Sequence, residues 1–386
     1  MISKVEIKPD VLNWAINESQ LDNNILLDRY PQLSEWKSGV SKPTFKQIRD
    51  FCDYIKIPFG FIFLSTPPKD EQFKVEFRTI SSKIQGNFSQ NLKTTILEMD
   101  YRKSWMSELR ENNGQQKLKW NFSQKLSDDY KTMSTKLRDL FGLPISWQVK
   151  KRNAYESFGI IREKVEKLGV LVMMSGIVGN DTHRTLSVSE FRAFALNDDY
   201  APLIFINRND TDNGLLFSII HEFLHILVSR EDDVFVGVNE HTQVEKEINE
   251  VTAEFLLPED QLIGEFDQNE DHFNEIKRIS DKYKISTMVT AIKAYKLGMI
   301  DEDLKDDILS EAIYYYNVHK QLRERKSDGG SFYSTTASRM SKDFYNTVIH
   351  QVEGGRIPYT HAYRLLGLRG KTFDKFREYV VGKLYG

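Results

Sequence analysis

The sequence predicts an α+β fold: a mostly helical multidomain protein with a small antiparallel-type sheet packed on two amphipathic helices and an N-terminal bundle of short helices. Three observations predict it. Apolar residues recur at helical spacing through most of the 386 residues. Three short runs between positions 170 and 207 are instead alternating or continuously apolar, as strands are. The first 66 residues are cut into brief helical stretches by turn-forming residues such as Gly39 and Pro43. A hydrophobic content of 40% over this length fills more than one core, so the chain divides into 1–66, a helical linker region 67–150, a domain 151–300 and a basic helical region 301–386.

In the first region the spacing predicts helices over 10–18, 22–30, 32–37 and 44–55. The phrase Trp36-Lys37-Ser38-Gly39-Val40-Ser41-Lys42-Pro43-Thr44-Phe45 resembles the turn and helix start of XRE-type helix-turn-helix DNA-binding domains. The third helix offers only Lys37 as a cation, beside Glu35, and the eight Lys and Arg of residues 1–68 are cancelled by eight Asp and Glu. Phosphate contacts dominate DNA affinity, so DNA is a weakly supported partner and a protein is an alternative one. Cys52, the only cysteine, lies in an amphipathic run as a buried thiol and has no partner for an internal disulfide.

Pro67-Pro68-Lys69-Asp70-Glu71 reads as a stiff polar linker. Helices over 87–112 and 127–141 follow, stopped by Asn112-Asn113-Gly114 and by Gly142 with Pro144, and they carry no chemistry. From 158 a helix leads to a strand over 170–174, a second over 190–196 and a third over 202–207, with loops short enough to favour antiparallel pairing.

The next helix, over 215–229, contains His221-Glu222-Phe223-Leu224-His225. At about 3.6 residues per turn the two histidines share one helix face and can ligate one zinc ion, while Glu222 projects beside them as a general base. That is metallopeptidase chemistry. An edge strand beside such a helix would let an extended substrate pair with its free backbone groups.

Two histidines leave a catalytic zinc short of a protein ligand, and the helix over 244–258 offers Glu245, Glu247, Glu250 and Glu254. Stepping about 100° per residue places Glu245 with Ile248, Asn249, Thr252, Phe255 and Leu256 on one face, and the other three glutamates with Lys246 on a solvated stripe. Glu245 is the carboxylate turned inward, with Asn249 one turn on as a hydrogen-bond partner behind the ligands. A third histidine in metzincin spacing is absent, since position 231 is Glu231.

Phe191-Arg192-Ala193-Phe194-Ala195-Leu196, Ala201-Pro202-Leu203-Ile204-Phe205-Ile206-Asn207, the His221 motif and Glu245-x-x-x-Asn249-x-x-x-Ala253-x-x-Leu256-Leu257-Pro258 together resemble the ImmA/IrrE family of metallopeptidases. Departures from that family's usual residues fall at Leu224, Ile248 and Thr252, none of them a ligand. The resemblance implies a cytoplasmic zinc endopeptidase (Zn2+ held by His221, His225 and Glu245, with Glu222 as the base). It also implies a protein substrate, a repressor often of XRE type, whose cleavage switches on a stress, mobile-element or toxin–antitoxin programme. The rival reading is a DNA-binding transcription regulator or antitoxin-like scaffold whose metal is structural.

The closing region is predicted to hold helices ending near 326 and spanning 341–352 and 359–366, with a turn at Asp328-Gly329-Gly330-Ser331. From Tyr316 onward thirteen Lys or Arg face six Asp or Glu, so the tail carries +7 while the chain as a whole carries −3. A tail of this kind binds nucleic acid or docks on an acidic neighbour. Its aromatic residues read as core at helical spacing, with stacking on single-stranded nucleic acid as the alternative. No apolar stretch approaches membrane-spanning length and no signal-peptide core opens the sequence, so the cytoplasm is expected and a membrane partner is not.

Overall fold

The computed structural model describes residues 4–19, 23–55, 57, 59–67, 88–118, 129–228, 234–236, 243–323 and 331–385. The chain forms two compact units, Met1–Leu97 and Glu98–Gly386. Most of the Pro67–Glu71 linker, His241, Glu231 and the turn at 328–330 lie outside the described residues.

The first unit holds α1 (Pro9–Ser19), α2 (Asn23–Arg29), α3 (Leu33–Ser38), α4 (Phe45–Ile55) and a 3-10 turn, Phe59–Phe63. Val11, Leu12, Leu26, Leu33, Trp36, Ile48 and Phe51 close its core, and Cys52 is buried among them. Gly39 ends α3 in the left-handed conformation at φ +73°, where Val40 N–H returns to Glu35 O at 2.9 Å, a helix stop that glycine permits. Thr44 and Gln47 cap α4 reciprocally: Gln47 N–H donates to Thr44 Oγ1 at 3.2 Å and Thr44 N–H to Gln47 Oε1 at 2.8 Å. α5 (Gln90–Asn112) follows in the chain.

The second unit continues with α6 (Tyr130–Phe141), α7 (Ala154–Lys167), β1 (Leu171–Ser175), β2 (Ile177–Val178), β3 (Asp181–Thr185), β4 (Ala193–Leu196), β5 (Leu203–Asn207), α8 (Asp212–Val228), β6 (Val234–Val236) and α9 (Gln243–Leu256). Eight further helices close the chain: α10 (Glu259–Glu265), α11 (His272–Tyr283), α12 (Thr287–Lys296), α13 (Glu302–Arg323), α14 (Phe332–Ser338), α15 (Lys342–Glu353), α16 (Tyr359–Leu366) and α17 (Lys371–Tyr385). None of the described helices is long and apolar enough to cross a membrane.

The α+β, mostly helical class holds. The sheet is mixed: its order is β1-β5-β4-β6, with β4 antiparallel to both β5 and β6 and β1 parallel to β5. The antiparallel expectation therefore needs correcting at β1. The loop-length argument missed the chain leaving β1 through the separate β2–β3 hairpin, a detour long enough for a parallel return. β5, which leads into α8, is interior, and the edges are β1 and β6. At the β1 edge Met174 N–H donates to Arg339 O at 2.8 Å. Arg162 of α7 reinforces that join by donating to Val172 O, Ser338 O and Met340 O.

α8 packs against α7, α9, β4 and β5. Leu215, Leu216, Ile219, Ile220, Phe223, Leu224, Ile226 and Leu227 are all buried, so apolar side chains surround it, as in a central helix. Phe141 of α6 and Phe255 of α9 meet edge to face at 5.8 Å between centroids, which joins those helices around the same core.

Candidate metal centre

The site is built on the meeting of α8 with the first turn of α9. Thr211 caps α8, its Oγ1 accepting from Gly214 N–H at 3.1 Å. Behind the cap, buried Asp210 accepts from Thr211 N–H at 2.7 Å and is held by Arg192 at 3.0 Å. A Cβ at position 214 would stand 2.4 Å from Asp210 Oδ2, so the cap requires glycine there. This arrangement sets the start of the helix that carries both histidines.

One turn apart on α8, His221 and His225 bring their Nε2 atoms to 3.1 Å. Glu245, in the first turn of α9, places Oε2 at 3.3 Å from His221 Nε2 and Oε1 at 3.0 Å from His225 Nε2. Among the described residues these three are the one group of metal-type donors close enough to share an ion. Donors held by a tetrahedral zinc at about 2.0 to 2.1 Å stand about 3.3 Å from one another. The two imidazole nitrogens and one carboxylate therefore fit such an ion in spacing and in chemistry.

Burial and charge shape the centre. His225 is 2% exposed and His221 half-buried, with Phe217 lying nearly parallel to the His221 ring at 6.1 Å. Burial alone would lower the His221 pKa, but hydrogen bonding to Glu245, the charges of Glu222 and Glu245, and Asn249 outweigh it and raise it. Burial opposes ionisation of Glu245, yet its hydrogen bonds from both histidines win and hold its carboxyl at about 2. Burial pushes the Glu222 carboxyl up, only partly offset by His225 and His221. Glu222 Oε2 is buried with no hydrogen-bond partner among the described residues. A carboxylate left so is costly unless it faces a reacting group or an ion.

His221, His225, Glu222 and Glu245 are brought together as the spacing predicts, and Asn249 lies within reach of His221 although it is itself exposed. The solvated stripe on α9 is corrected at one position. Glu247 accepts from Gln243 at 2.8 Å, and Glu250 pairs with Lys296 at 2.7 Å near the surface. Glu254 is instead buried, ion-paired with Lys293 of α12 and accepting from Glu259 N–H at 3.1 Å. Arg138 of α6 joins that cluster through the carbonyls of Glu254 and Phe255. Helical periodicity separates two faces of α9, whereas α6 packs over the face that would otherwise be wet and Lys293 reaches it from α12. No local signal marks Glu254.

Residues 165–295 match a peptidase family model described as the IrrE N-terminal-like domain, and residues 340–378 match a domain of unknown function, DUF8813. Neither a curated protein nor a solved structure gives a significant match. The first match contains β1 to β6, α8, α9 and the whole donor triangle. Residues 165–295 are accordingly similar to the IrrE N-terminal-like domain of a peptidase family.

Proposed function

We propose that the chain is a zinc-dependent endopeptidase that cleaves a regulatory protein, such as an XRE-type repressor or an antitoxin-type regulator, and so derepresses a stress, mobile-element or toxin–antitoxin programme. The observation that carries the reading is the His221–His225–Glu245 triangle, at 3.0 to 3.3 Å, inside a domain of peptidase type. In this reading the three residues hold zinc, which supplies a Lewis acid for the scissile carbonyl and the attacking water.

The chain's own groups do the rest. Glu222 accepts a proton from the attacking water at its carboxylate as the new carbon–oxygen bond forms. It returns that proton to the amide nitrogen as the carbon–nitrogen bond breaks, ending ionised. The burial that raises its pKa makes it a stronger base than an exposed glutamate. Asn249 lies near enough to His221 to favour its charged form, while His221 Nδ1 is buried without a hydrogen-bond partner among the described residues. The structural-metal alternative calls for a closed site with a fourth protein ligand, and the group among the described residues has three.

The test is incubation of the purified, zinc-quantified chain with candidate XRE-type repressors, beginning with one encoded beside it. Discrete fragments that vanish on chelation and reappear with zinc are expected. Intact repressor with a fully zinc-loaded chain would favour the structural-metal reading.

A further inference from the structure

Arg102 and Arg339 converge where the β2–β3 hairpin meets the C-terminal helices, in a place the donor triangle does not use, and Arg184 shares the charge of Glu98 with Arg102. Arg102 projects from α5, Arg184 from β3, and Arg339 follows α14. Between them lies Asn180 of the hairpin turn, which donates through Nδ2 to Gly367 O at 2.7 Å and accepts from Arg339 Nη1 at 3.4 Å. A Cβ on Gly367 would stand 3.9 Å from Arg102 Nη2, and one on Gly179 would stand 3.5 Å from Glu98 Oε1. Both glycines have positive φ, +69° and +54°, so the floor of this cluster is kept free of side chains.

Arg102 and Arg339 have little compensation among the described residues. Glu98 attracts Arg102 and Arg184, and Asp181 attracts Arg184. Arg102 forms no hydrogen bond or close ion pair among the described residues, and no carboxylate offsets the burial of Arg339. All three side chains are half-buried, and in each case burial depresses the guanidinium more than its neighbours restore it. Arg364, from the helix that ends at Gly367, lies 4.2 Å over the ring of Tyr101, next in chain to Arg102, and adds a further positive charge. Half-buried cations with as little compensation as Arg102 and Arg339 destabilise a fold unless an anion meets them.

We propose that Arg102, Arg184 and Arg339, with Asn180, bind the phosphate group of a small phosphate monoester between α5, the β2–β3 hairpin and the turn after α16. Guanidinium groups present planar forks that match phosphate oxygens, and several around one glycine-floored spot suit a compact terminal group. A nucleic-acid backbone is met instead by exposed cations spread along a track. A bound phosphate would tie together three segments far apart in sequence, one of them within the 340–378 match.

The test follows thermal unfolding and calorimetric binding of the full-length chain with inorganic phosphate, adenosine monophosphate or a short DNA duplex, in wild type, Arg102→Met and Arg339→Met. Saturating phosphate or monoester should raise the wild-type Tm by about 2 °C or more. Both variants should lose that rise. Without ligand, Arg102→Met should melt at or above the wild-type temperature, because it removes an unpaired charge; a structural arginine would do the reverse. A larger rise with the nucleotide than with inorganic phosphate assigns the rest of the ligand to an organic body, and equal rises assign recognition to the phosphate alone. No rise with either anion, a rise retained in both variants, arginine-dependent binding confined to the duplex, or a ligand-free Tm several degrees low in Arg102→Met would each overturn the proposal.

Discussion

Replacing Glu245 by alanine separates the donor triangle from every other glutamate on α9. The carboxylate meets His221 at 3.3 Å and His225 at 3.0 Å, and its removal leaves two imidazoles to hold the ion. Four-ligand structural zinc sites bind with about 10 to 16 kcal/mol, so one ligand accounts for about 3 to 4 kcal/mol, roughly 100- to 1,000-fold in Kd. The fold should survive, because an acid in the first turn of a helix adds only about 0.3 to 1 kcal/mol through the helix dipole. Glu247→Ala and Glu250→Ala are the matched controls: one loses a contact to Gln243 and the other an exposed pair with Lys296. Competition against a chelator of known affinity, with zinc counted by elemental analysis, reads the effect. Zinc affinity in Glu245→Ala within a few-fold of wild type, or a comparable loss in either control, would refute the assignment.

Glu222→Gln should retain stoichiometric zinc and the wild-type Tm while proteolysis falls about 100- to 10,000-fold, measured as fragment release from a confirmed substrate. Glu254→Ala should destabilise the second unit by about 3 to 5 kcal/mol, because Lys293 is left buried and unpaired; denaturant melts check this, and adding Lys293→Met should recover much of the loss. For Glu275, the hydrogen bonds from Arg278, with the Asp267 N–H, hold the carboxyl below its ordinary value. A carboxyl lowered in the folded state contributes stability above its unfolded value of 4.5 that disappears as the pH falls through the folded value. The Tm advantage of wild type over Glu275→Gln should therefore be full at neutral pH and shrink on acidification below about 4.5; an advantage that grows in acid would show the sign to be wrong.

Local pattern alone determined a large part of this protein. The spacing of His221 and His225 places both imidazoles on one helix face whatever surrounds it, because the turn of a helix is set by its backbone. The same geometry singled out Glu245 among four glutamates, since only a two-sided periodicity was needed to turn one carboxylate toward apolar residues and away from Glu247 and Glu250. Strands β1, β4 and β5 were legible because β-branched, aromatic and other apolar residues run together there between short turns. Tertiary structure decided whatever depends on a partner remote in sequence. Glu254 lies on the polar stripe of α9 by periodicity, yet α6 packs over that stripe and Lys293 reaches it from α12, so that Glu254 is buried with Lys293 and Arg138. The parallel pairing of β1 with β5 depends on where the β2–β3 hairpin sends the chain, and one edge of β1 is met by Arg339, more than 150 residues away in the sequence. The approach of Arg102 and Arg339 to Asn180 is of the same kind: no spacing links them, because only the packed chain brings such distant positions together around one asparagine.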